Sequence, residues 1–257
     1  MILDKIIETK KEEVAQLKKE TTQAQLLATI ANLEPCRDFR TALQDGSCNI
    51  IAEVKCASPS RGRLIEDFNP VRIAGIYEKN GAAAISVLTD EKYFAGHKNY
   101  LTQIKQKAEL PLLRKDFIID PIQIYETRAI GADAILLIVR VLGKELSEFI
   151  SLSKELGLSQ LVEAHNDEEL DVALAAGSEI IGINNRNLDT FVTDIETSRR
   201  LKTQIPKNKI VVAESGIKDR KDIASLMDAG IHAFLIGEAL IIAPDIGRKL
   251  LEFRGEL

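Results

Sequence analysis

The run IIAEVK at residues 50–55 decides the fold, because seven further short apolar runs of the same kind follow it along the chain. These runs are AAISVL (83–88), PLLRKD (111–116), DAILLI (133–138), QLVEA (160–164), EIIGIN (179–184), KIVVAE (209–214) and HAFLIG (232–237). Short β-branched runs that alternate with longer amphipathic segments indicate repeated βα units and a parallel sheet. Eight such units are the number that closes a barrel, so the sequence predicts an α/β fold of the (βα)8 TIM-barrel type.

Glycine residues mark the ends of the helices between these runs. Five of them follow an apolar-periodic stretch and precede the next run: Gly81, Gly131, Gly157, Gly177 and Gly230. Glycine adopts the left-handed conformation that ends a helix without a steric cost, so each position is a predicted helix stop. A doubly wound open sheet is the alternative architecture, but eight evenly spaced units favour closure over a six-stranded sheet.

The first 46 residues have a different pattern. Apolar residues such as Ile2, Ile6, Leu26 and Ile30 recur about four positions apart with polar residues between them, which indicates helix. This segment is too short to bury a useful core of its own. We therefore expect residues 1–257 to form a single (βα)8-barrel domain, with residues 1–46 as a helical extension packed on one end of the barrel.

The composition of the 257-residue chain excludes several classes of function. The formal net charge of -5 is spread over mixed acidic and basic residues, so no nucleic-acid-binding surface is expected. The sequence has neither a signal-peptide pattern nor an apolar run of about 20 residues, which predicts a cytoplasmic protein without a membrane-spanning segment. The expected partner is a small molecule, and the sequence leaves open whether the chain also binds other proteins.

The cysteine and histidine residues do not indicate a metal site. Cys36, Cys48 and Cys56 form an odd set without CxxC spacing, which predicts free thiols in a reducing compartment. The histidines lie far apart in sequence, which favours core or surface roles over metal binding for His97, His165 and His232. We therefore expect neither a disulfide nor a bound metal.

Charged and polar residues occur late in the predicted strands, although a buried parallel strand is normally apolar. They are Glu53, Lys55, Lys115, Glu163, Asn184, Arg186 and Glu214. Residues two apart share a face of a strand, so Glu53 with Lys55, and Asn184 with Arg186, should point into the barrel. The carboxyl ends of the strands form the catalytic end of such a barrel, so these side chains should meet in one pocket. The alternative is a structural ion-pair network, but buried networks of this kind add little stability, which favours a functional pocket.

Glycine-containing turns follow the seventh and eighth runs. Ser215 and Gly216 come directly after Glu214, and Glu238 comes directly after Gly237. Backbone N–H groups in such turns can approach a ligand closely, and barrels often bind phosphate in these two loops. A phosphorylated ligand is therefore expected, with the alternative that the glycines serve only to make tight turns.

The loop after the first run, CASPSRGRLIEDFNP at residues 56–70, is basic and rich in hydroxyl groups near its start. A flexible segment in this position lies beside the expected pocket. Residues 58–63 are therefore predicted to form a lid over bound substrate, and an ordinary exposed loop is the alternative.

Six segments resemble those of one enzyme family, in the same order along the chain: IIAEVKCASPSRG, LLRKDFIIDPIQIYE, LVEAH, GINNRNLDTF, VAESGI and LIGEAL. They are similar to the corresponding segments of indole-3-glycerol-phosphate synthases, and the resemblance covers nearly the whole chain. It implies a carboxy-lyase of tryptophan biosynthesis that acts on 1-(2-carboxyphenylamino)-1-deoxyribulose 5-phosphate. The implied products are indole-3-glycerol phosphate, carbon dioxide and water.

The resemblance also implies roles for individual residues. Lys115 matches the general acid of the family, Glu163 matches the carboxylate of the dehydration, and the pair Glu53 and Lys55 completes the catalytic set. The implied substrate-binding residues are Ser58, Phe117, Asn184, Arg186, Glu214, Ser215, Gly216, Gly237 and Glu238.

The implied chemistry requires no cofactor, because a protonated carbonyl can accept the electrons and the chain shows no nucleotide-binding fingerprint. Other readings of the same pattern stay open at this point. A Schiff-base aldolase on a similar phosphate-binding barrel would also place a lysine at a strand end. A barrel retained as a non-catalytic scaffold would have lost catalytic groups, and none is missing.

Overall fold

Eight parallel strands close into a barrel in the structure, a computed structural model that describes residues 2–44, 48–187 and 192–257. The barrel strands are β1 (Asn49–Val54), β4 (Ala84–Leu88), β5 (Leu112–Lys115), β6 (Ala134–Ile138), β7 (Ser159–Ala164), β8 (Ile180–Asn184), β9 (Ile210–Glu214) and β10 (Ala233–Ile236). Each pairs in parallel with its neighbours, and β1 closes the barrel by pairing with both β4 and β10. The predicted (βα)8 TIM barrel is confirmed, with strand ends within two residues of the predicted runs.

Helices cover the outside of this barrel and also precede it. They are α1 (Ile2–Glu20), α2 (Gln23–Ile30), α3 (Pro70–Lys79), α4 (Glu91–Phe94), α5 (Lys98–Lys105), α6 (Pro121–Ala129), α7 (Val139–Leu142), α8 (Leu146–Glu155), α9 (Asp167–Ala175), α10 (Glu196–Lys202), α11 (Arg220–Asp228), α12 (Glu238–Ile241) and α13 (Ile246–Arg254). Two short antiparallel strands, β2 (Ala57–Ser58) and β3 (Gly62–Arg63), form a hairpin after β1. No helix within the described ranges is long and apolar enough to cross a membrane.

The helices begin and end where local chemistry favours it. At the start of α6, Asp120 and Gln123 form a reciprocal capping box and Pro121 occupies the first turn. Polar side chains likewise cap α3, α9, α11 and α13. The five glycines predicted to stop helices all have positive φ, between 78° and 93°. Because L side chains rarely adopt this conformation, glycine is the residue that lets each helix turn into the next strand.

Strand alternation divides the core into two layers. Along β1, Ile50, Ala52 and Val54 face outward and pack against the surrounding helices. Ile51 faces inward and packs with residues of the other strands, including Leu113 on β5. The same alternation places Glu53 inside the barrel at its carboxyl end, as the sequence predicts.

The N-terminal extension contacts both ends of the barrel. Ile2 and Leu3 of α1 line the cavity at the carboxyl ends of the strands. Further along, Phe39 and Leu43 are buried with the inward-facing residues at the amino ends of the strands, and the backbone N–H of Arg37 donates to Asp133 at 2.8 Å. The expectation that this segment packs on one end is therefore wrong. Residues 45 and 46, at the predicted boundary, lie outside the described ranges.

A buried ion cluster holds α1 across the carboxyl end of the barrel. The ammonium group of Lys10 lies 3.0 Å from Asp90 and 2.9 Å from Asp116, and all three side chains are almost fully buried. Burial opposes ionisation, but the carboxylates of Asp116 and Asp90 outweigh it and raise the pKa of Lys10 well above its usual value. Asp116 directly follows the candidate acid Lys115, so this cluster ties the extension to the strand end that carries Lys115.

Removing the Lys10 ammonium should release α1. Lys10→Ala leaves Asp90 buried without its cation and leaves Asp116 with Arg114 alone, so we expect a loss of about 3–5 kcal/mol in the free energy of unfolding. The matched control is Lys11→Ala, because Lys11 pairs with Glu8 at 2.6 Å on the exposed side of the same helix. The control should lose less than about 1 kcal/mol. Denaturant unfolding measures both, and equal losses would contradict the proposed anchoring.

Candidate active site

A cavity of about 1080 Å³ opens at the carboxyl ends of the barrel strands, as predicted for the catalytic end. All of the candidate residues from the sequence line its wall: Glu53, Lys55, Ser58, Lys115, Phe117, Glu163, Asn184, Arg186, Glu214, Ser215, Gly216, Gly237 and Glu238. The residues at and after the predicted strand ends therefore line the pocket, as the sequence predicted. The sequence did not identify Ile2, Leu3 and Ile6 of α1, which cover one side of the cavity.

A cluster of charges lies at the base of this cavity. The ammonium Nζ of Lys115 lies 3.1 Å from Glu163 Oε2 and 3.2 Å from Glu214 Oε2. Next to it, Lys55 Nζ lies 3.3 Å from Glu53 Oε1. The three carboxylates are almost fully buried, whereas Lys55 and Lys115 keep 17% and 16% of their side chains exposed. The lysines therefore present positive charge to whatever enters the cavity.

Burial and neighbouring charges set the ionisation of this cluster. Burial alone would lower the pKa of Lys115, but Glu163, Glu214 and Glu53 together raise it well above its usual value. Burial also disfavours the Glu163 carboxylate, yet Lys115 and His165 hold the pKa of that carboxyl below its usual value. Glu214 differs, because burial and the charge of Glu163 outweigh Lys115 and raise its pKa to about 7. Lys115 pairs with both Glu163 and Glu214, and Glu163 also lies beside His165.

Two turns at the ends of β9 and β10 form the other side of the cavity. Ser215 and Gly216 have φ values of 65° and 80°, so two successive residues adopt the left-handed conformation. The side chain of Asn185 donates to the Ser215 carbonyl at 3.0 Å, which fixes this turn. Successive backbone N–H groups in such a turn form a concave site suited to an anion.

The predicted lid forms the hairpin of β2 and β3 beside the cavity. Arg61 at its tip pairs with Glu238 at 2.7 Å, so the hairpin reaches from the end of β1 to the start of α12. Ser58, Pro59 and Ser60 of the hairpin line the cavity. Closure on substrate binding stays a prediction.

Comparison with known proteins agrees with this geometry. The sequence profile described as Indole-3-glycerol phosphate synthase matches residues 3–253. The chain belongs to this family. It is 50% identical over 259 residues to the indole-3-glycerol phosphate synthase of Alkaliphilus metalliredigens, covering 100% of this chain and 99% of that one. It is 49% identical to the Desulforamulus reducens enzyme of the same name, covering 98% and 96% of the two chains.

Solved structures with low sequence identity show the same fold. N-acetylmannosamine-6-phosphate 2-epimerase from Clostridium perfringens is 18% identical, with a TM-score of 0.61 over 77% of this chain and 89% of that chain. Thiamine phosphate pyrophosphorylase from Pyrococcus furiosus is 15% identical, with a TM-score of 0.59 over 81% and 94% of the two chains. At these identities the likeness concerns the barrel alone.

Membership of the indole-3-glycerol phosphate synthase family confirms the predicted function. The chain is a carboxy-lyase of tryptophan biosynthesis that acts on a small phosphorylated substrate. The aldolase and scaffold alternatives find no support in the family assignment. Residues 188–191 of the resembling segment GINNRNLDTF lie outside the described ranges, so the structure describes that motif only as far as residue 187.

His165 and Gly182 lie beside the charged cluster, and the sequence assigned neither of them to the site. His165 Nε2 lies 3.3 Å from Glu163 Oε1, although the sequence favoured only a core or surface role for this histidine. It lies two residues after Glu163, and that spacing was the available signal.

Within the described part of the chain, no group of three or more His, Cys, Asp or Glu side chains is placed to hold a metal.

Gly182 leaves the space that the Glu214 carboxylate occupies. A Cβ at Gly182 would lie 2.2 Å from Glu214 Oε1 and 3.3 Å from Leu161 Cδ1. Only glycine at this inward position of β8 permits the carboxylate to sit beside Lys115. The sequence gives no sign of this, because the requirement arises between two different strands. Similarly, a Cβ at Gly237 would lie 2.3 Å from Glu53 Oε1, so this glycine also accommodates a catalytic candidate.

Adding a methyl group at Gly182 should displace Glu214 from Lys115. Gly182→Ala is therefore expected to lower kcat for indole formation by up to about 10²-fold, the cost of displacing a group of the site by about 1 Å. Gly75→Ala on α3 is the control, because a Cβ there meets open space, and it should leave kcat unchanged. Steady-state fluorescence of the indole product measures both variants. Unchanged kcat in Gly182→Ala would mean that the position of Glu214 does not matter to the reaction.

Proposed function

We propose that this cavity performs indole-3-glycerol phosphate synthesis with Lys115 as the general acid and Glu163 as the carboxylate of the dehydration. The observation that supports the proposal most is the position of Lys115 between Glu163 and Glu214 at the base of the cavity. A lysine held protonated in this way can deliver a proton to a developing oxyanion without a rearrangement of the protein. The substrate is 1-(2-carboxyphenylamino)-1-deoxyribulose 5-phosphate.

The phosphate of the substrate binds at the turns after β9 and β10. Ser215 and Gly216 provide the left-handed turn on one side, and Gly237 precedes the first residue of α12, Glu238, on the other. Backbone N–H groups that point into a cavity bind phosphate without a charged side chain. This location is also the common phosphate position of (βα)8 barrels, after strands seven and eight.

The aromatic ring of the substrate binds on the opposite, apolar side of the cavity. Phe94 and Phe117 lie there with ring centroids 6.2 Å apart, and Leu3 and Ile6 of α1 contribute to the same wall. An apolar wall accommodates the ring and weakens the solvation of the carboxylate that leaves as carbon dioxide. With the phosphate held at β9 and β10, the ketone of the substrate lies between the phosphate and the aromatic ring, beside the lysines.

Ring closure requires a proton for the ketone oxygen. The ring carbon that bears the carboxylate forms a bond to the ketone carbon, and the electrons of the C=O bond move to oxygen. Lys115 supplies the proton to that oxygen, while the anilino nitrogen carries the resulting positive charge. Loss of carbon dioxide then returns the electrons of its C–C bond to the ring and restores aromaticity.

Dehydration completes the indole. The new hydroxyl leaves as water with a proton from a lysine ammonium group at the base of the cavity, and a base takes a proton from the carbon between the ring nitrogen and the former ketone carbon. Glu163 lines the cavity beside Lys115 and is ionised, which supports its assignment as this base. Lys55, paired with Glu53, adds a second cation on the same side of the substrate.

Asn184 and Arg186 orient the substrate from the end of β8. The side-chain oxygen of Asn184 accepts the backbone N–H of Arg186 at 3.0 Å, so the two positions are fixed relative to each other. Asn184 also helps to hold the pKa of the Glu163 carboxyl low. Ser58 of the hairpin lines the cavity, and we propose that this hairpin closes as a lid over bound substrate.

Separating the two halves of the reaction tests these roles. Glu163→Gln should slow dehydration by about 10²–10⁴-fold, the usual effect of one general acid or base. In a single turnover, carbon dioxide release should therefore run ahead of indole formation. Lys115→Ala should instead abolish both, while substrate still binds through the phosphate turns. Because Glu163 also helps to keep Lys115 protonated, some slowing of ring closure is expected in Glu163→Gln. Equal slowing of both signals would place Glu163 at or before ring closure and contradict its assigned role.

The phosphate site has its own test. Gly216 has φ of 80°, and a Cβ there would lie 2.4 Å from Thr193 Cγ2, so Gly216→Ala should distort the turn and raise KM by about tenfold or more. Gly177→Ala is the matched control, because Gly177 has the same φ of 80° but open space around its Cβ position. It imposes a similar backbone strain far from the cavity and should leave KM unchanged. An unchanged KM in Gly216→Ala would place the phosphate elsewhere.

A further inference from the structure

His165 follows β7 and lies between two carboxylates. Its ring nitrogen Nδ1 is 2.8 Å from Glu169 Oε2 on α9, and Nε2 is 3.3 Å from Glu163 Oε1. The same Glu169 oxygen accepts the backbone N–H of His165 at 2.9 Å. Only 7% of the His165 side chain is exposed. Both ring nitrogens therefore face negative charge in a buried setting, an arrangement that favours the doubly protonated imidazolium.

The two oxygens of Glu163 have different partners. Oε2 faces Lys115 at 3.1 Å, and Oε1 faces His165. Lys115 lines the cavity, whereas His165 lies behind Glu163 and outside the cavity wall. A cation behind the carboxylate fixes its orientation without meeting the substrate.

We propose that His165 is a positioning residue of the synthase reaction: held by Glu169, its imidazolium orients Glu163 toward Lys115 and keeps that carboxylate ionised. The proposal rests on the role assigned to Glu163 under the proposed function. It extends the catalytic cluster by a chain of alternating charges that runs from Glu169 through His165 and Glu163 to Lys115. Such a chain works as a second layer of support that holds the reacting groups in place.

The charged groups around His165 make the arrangement sensitive to pH. Glu163 on β7 and Glu169 on α9 face the ring directly, and beyond Glu163 lie Lys115 on β5, Glu214 on β9 and Glu53 on β1. Burial lowers the pKa of His165, but the nearby carboxylates of Glu163 and Glu169 outweigh it and raise the pKa to about 9. Since a raised pKa favours the cation, the imidazolium persists at neutral pH and is lost as pH rises through about 9.

The decisive experiment compares kcat of the wild-type enzyme and His165→Asn between pH 6 and pH 10.5. Asparagine can donate hydrogen bonds through its amide NH2 group but carries no charge. At pH 7 we expect kcat of His165→Asn to be about tenfold below that of the wild-type enzyme, the factor that corresponds to one pKa unit of lost electrostatic stabilisation. KM should stay within about twofold of the wild-type value, because His165 does not line the cavity. The ratio of the two kcat values should then approach one above pH 9, where the wild-type imidazolium is also neutral.

A purely structural role at the start of α9 would lower kcat by the same factor at every pH. A pH-independent ratio, or an unchanged kcat at pH 7, would therefore overturn the proposal. The matched control is His97→Asn, because His97 forms a histidine–carboxylate pair with Glu91 at 3.2 Å outside the cavity wall. Asparagine keeps the capping function of His97 at α5, so this variant should retain the wild-type pH profile.

Glu169→Gln provides a second variant in case His165→Asn does not fold, which circular dichroism and thermal unfolding would reveal. Glutamine keeps an acceptor oxygen for His165 but removes the negative charge, which should lower the pKa of His165. The fall in kcat at high pH should therefore begin at a lower pH than in the wild-type enzyme. An unshifted basic limb would overturn the assigned role of Glu169 and His165. If Glu163→Gln is impaired while both variants match the wild-type enzyme, this proposal fails and the role of Glu163 stands. Full activity in Glu163→Gln would instead mean that the proposed function has assigned Glu163 wrongly.

Discussion

Side chains alternate between the inside and the outside of the closed parallel sheet, and the site depends on this constraint. Every second residue of each strand points into the same narrow interior, so side chains from strands far apart in sequence must share it. Apolar residues fill the lower part, as Ile51 and Leu113 do. At the carboxyl end the interior widens into the cavity, and Glu53, Lys115 and Glu163 converge there. Because these charges are removed from bulk water, they are stable only when they neutralise one another, which fixes their distances and their ionisation together.

The carboxylates of this cluster differ in how many positively charged groups lie beside them, and their pKa values differ as a result. Lys115 lies within 3.2 Å of two carboxylates, and of these two Glu163 also has His165 behind it. Glu163 therefore stays ionised, whereas burial raises the pKa of Glu214 to about 7. Two chemically identical side chains acquire distinct proton affinities from their surroundings, which is the usual basis for dividing acid and base functions in one site.

The N-terminal extension makes the cavity deeper than the barrel alone would. Its first helix contributes Leu3 and Ile6 to the wall, and Lys10 fastens the helix to Asp90 and Asp116. The buried position of Lys10 means that the anchor cannot loosen without leaving charges unpaired. The segment after α2 then closes the opposite end of the barrel through Phe39. The extension is thus part of both the stability of the barrel and the shape of its substrate site.

The sequence by itself determined the eight strands, the helix-ending glycines and the charged residues at the strand ends, because these follow from short-range periodicity and from which strand position a charge occupies. Resemblance to a family supplied the reaction. Only the tertiary structure decided where the extension packs, that His165 lies behind Glu163, and that Gly182 makes room for Glu214. Each of these depends on the distance between side chains on different elements. Periodicity reports which face a residue occupies, but a contact between two elements exists only after the barrel has closed and set their separation.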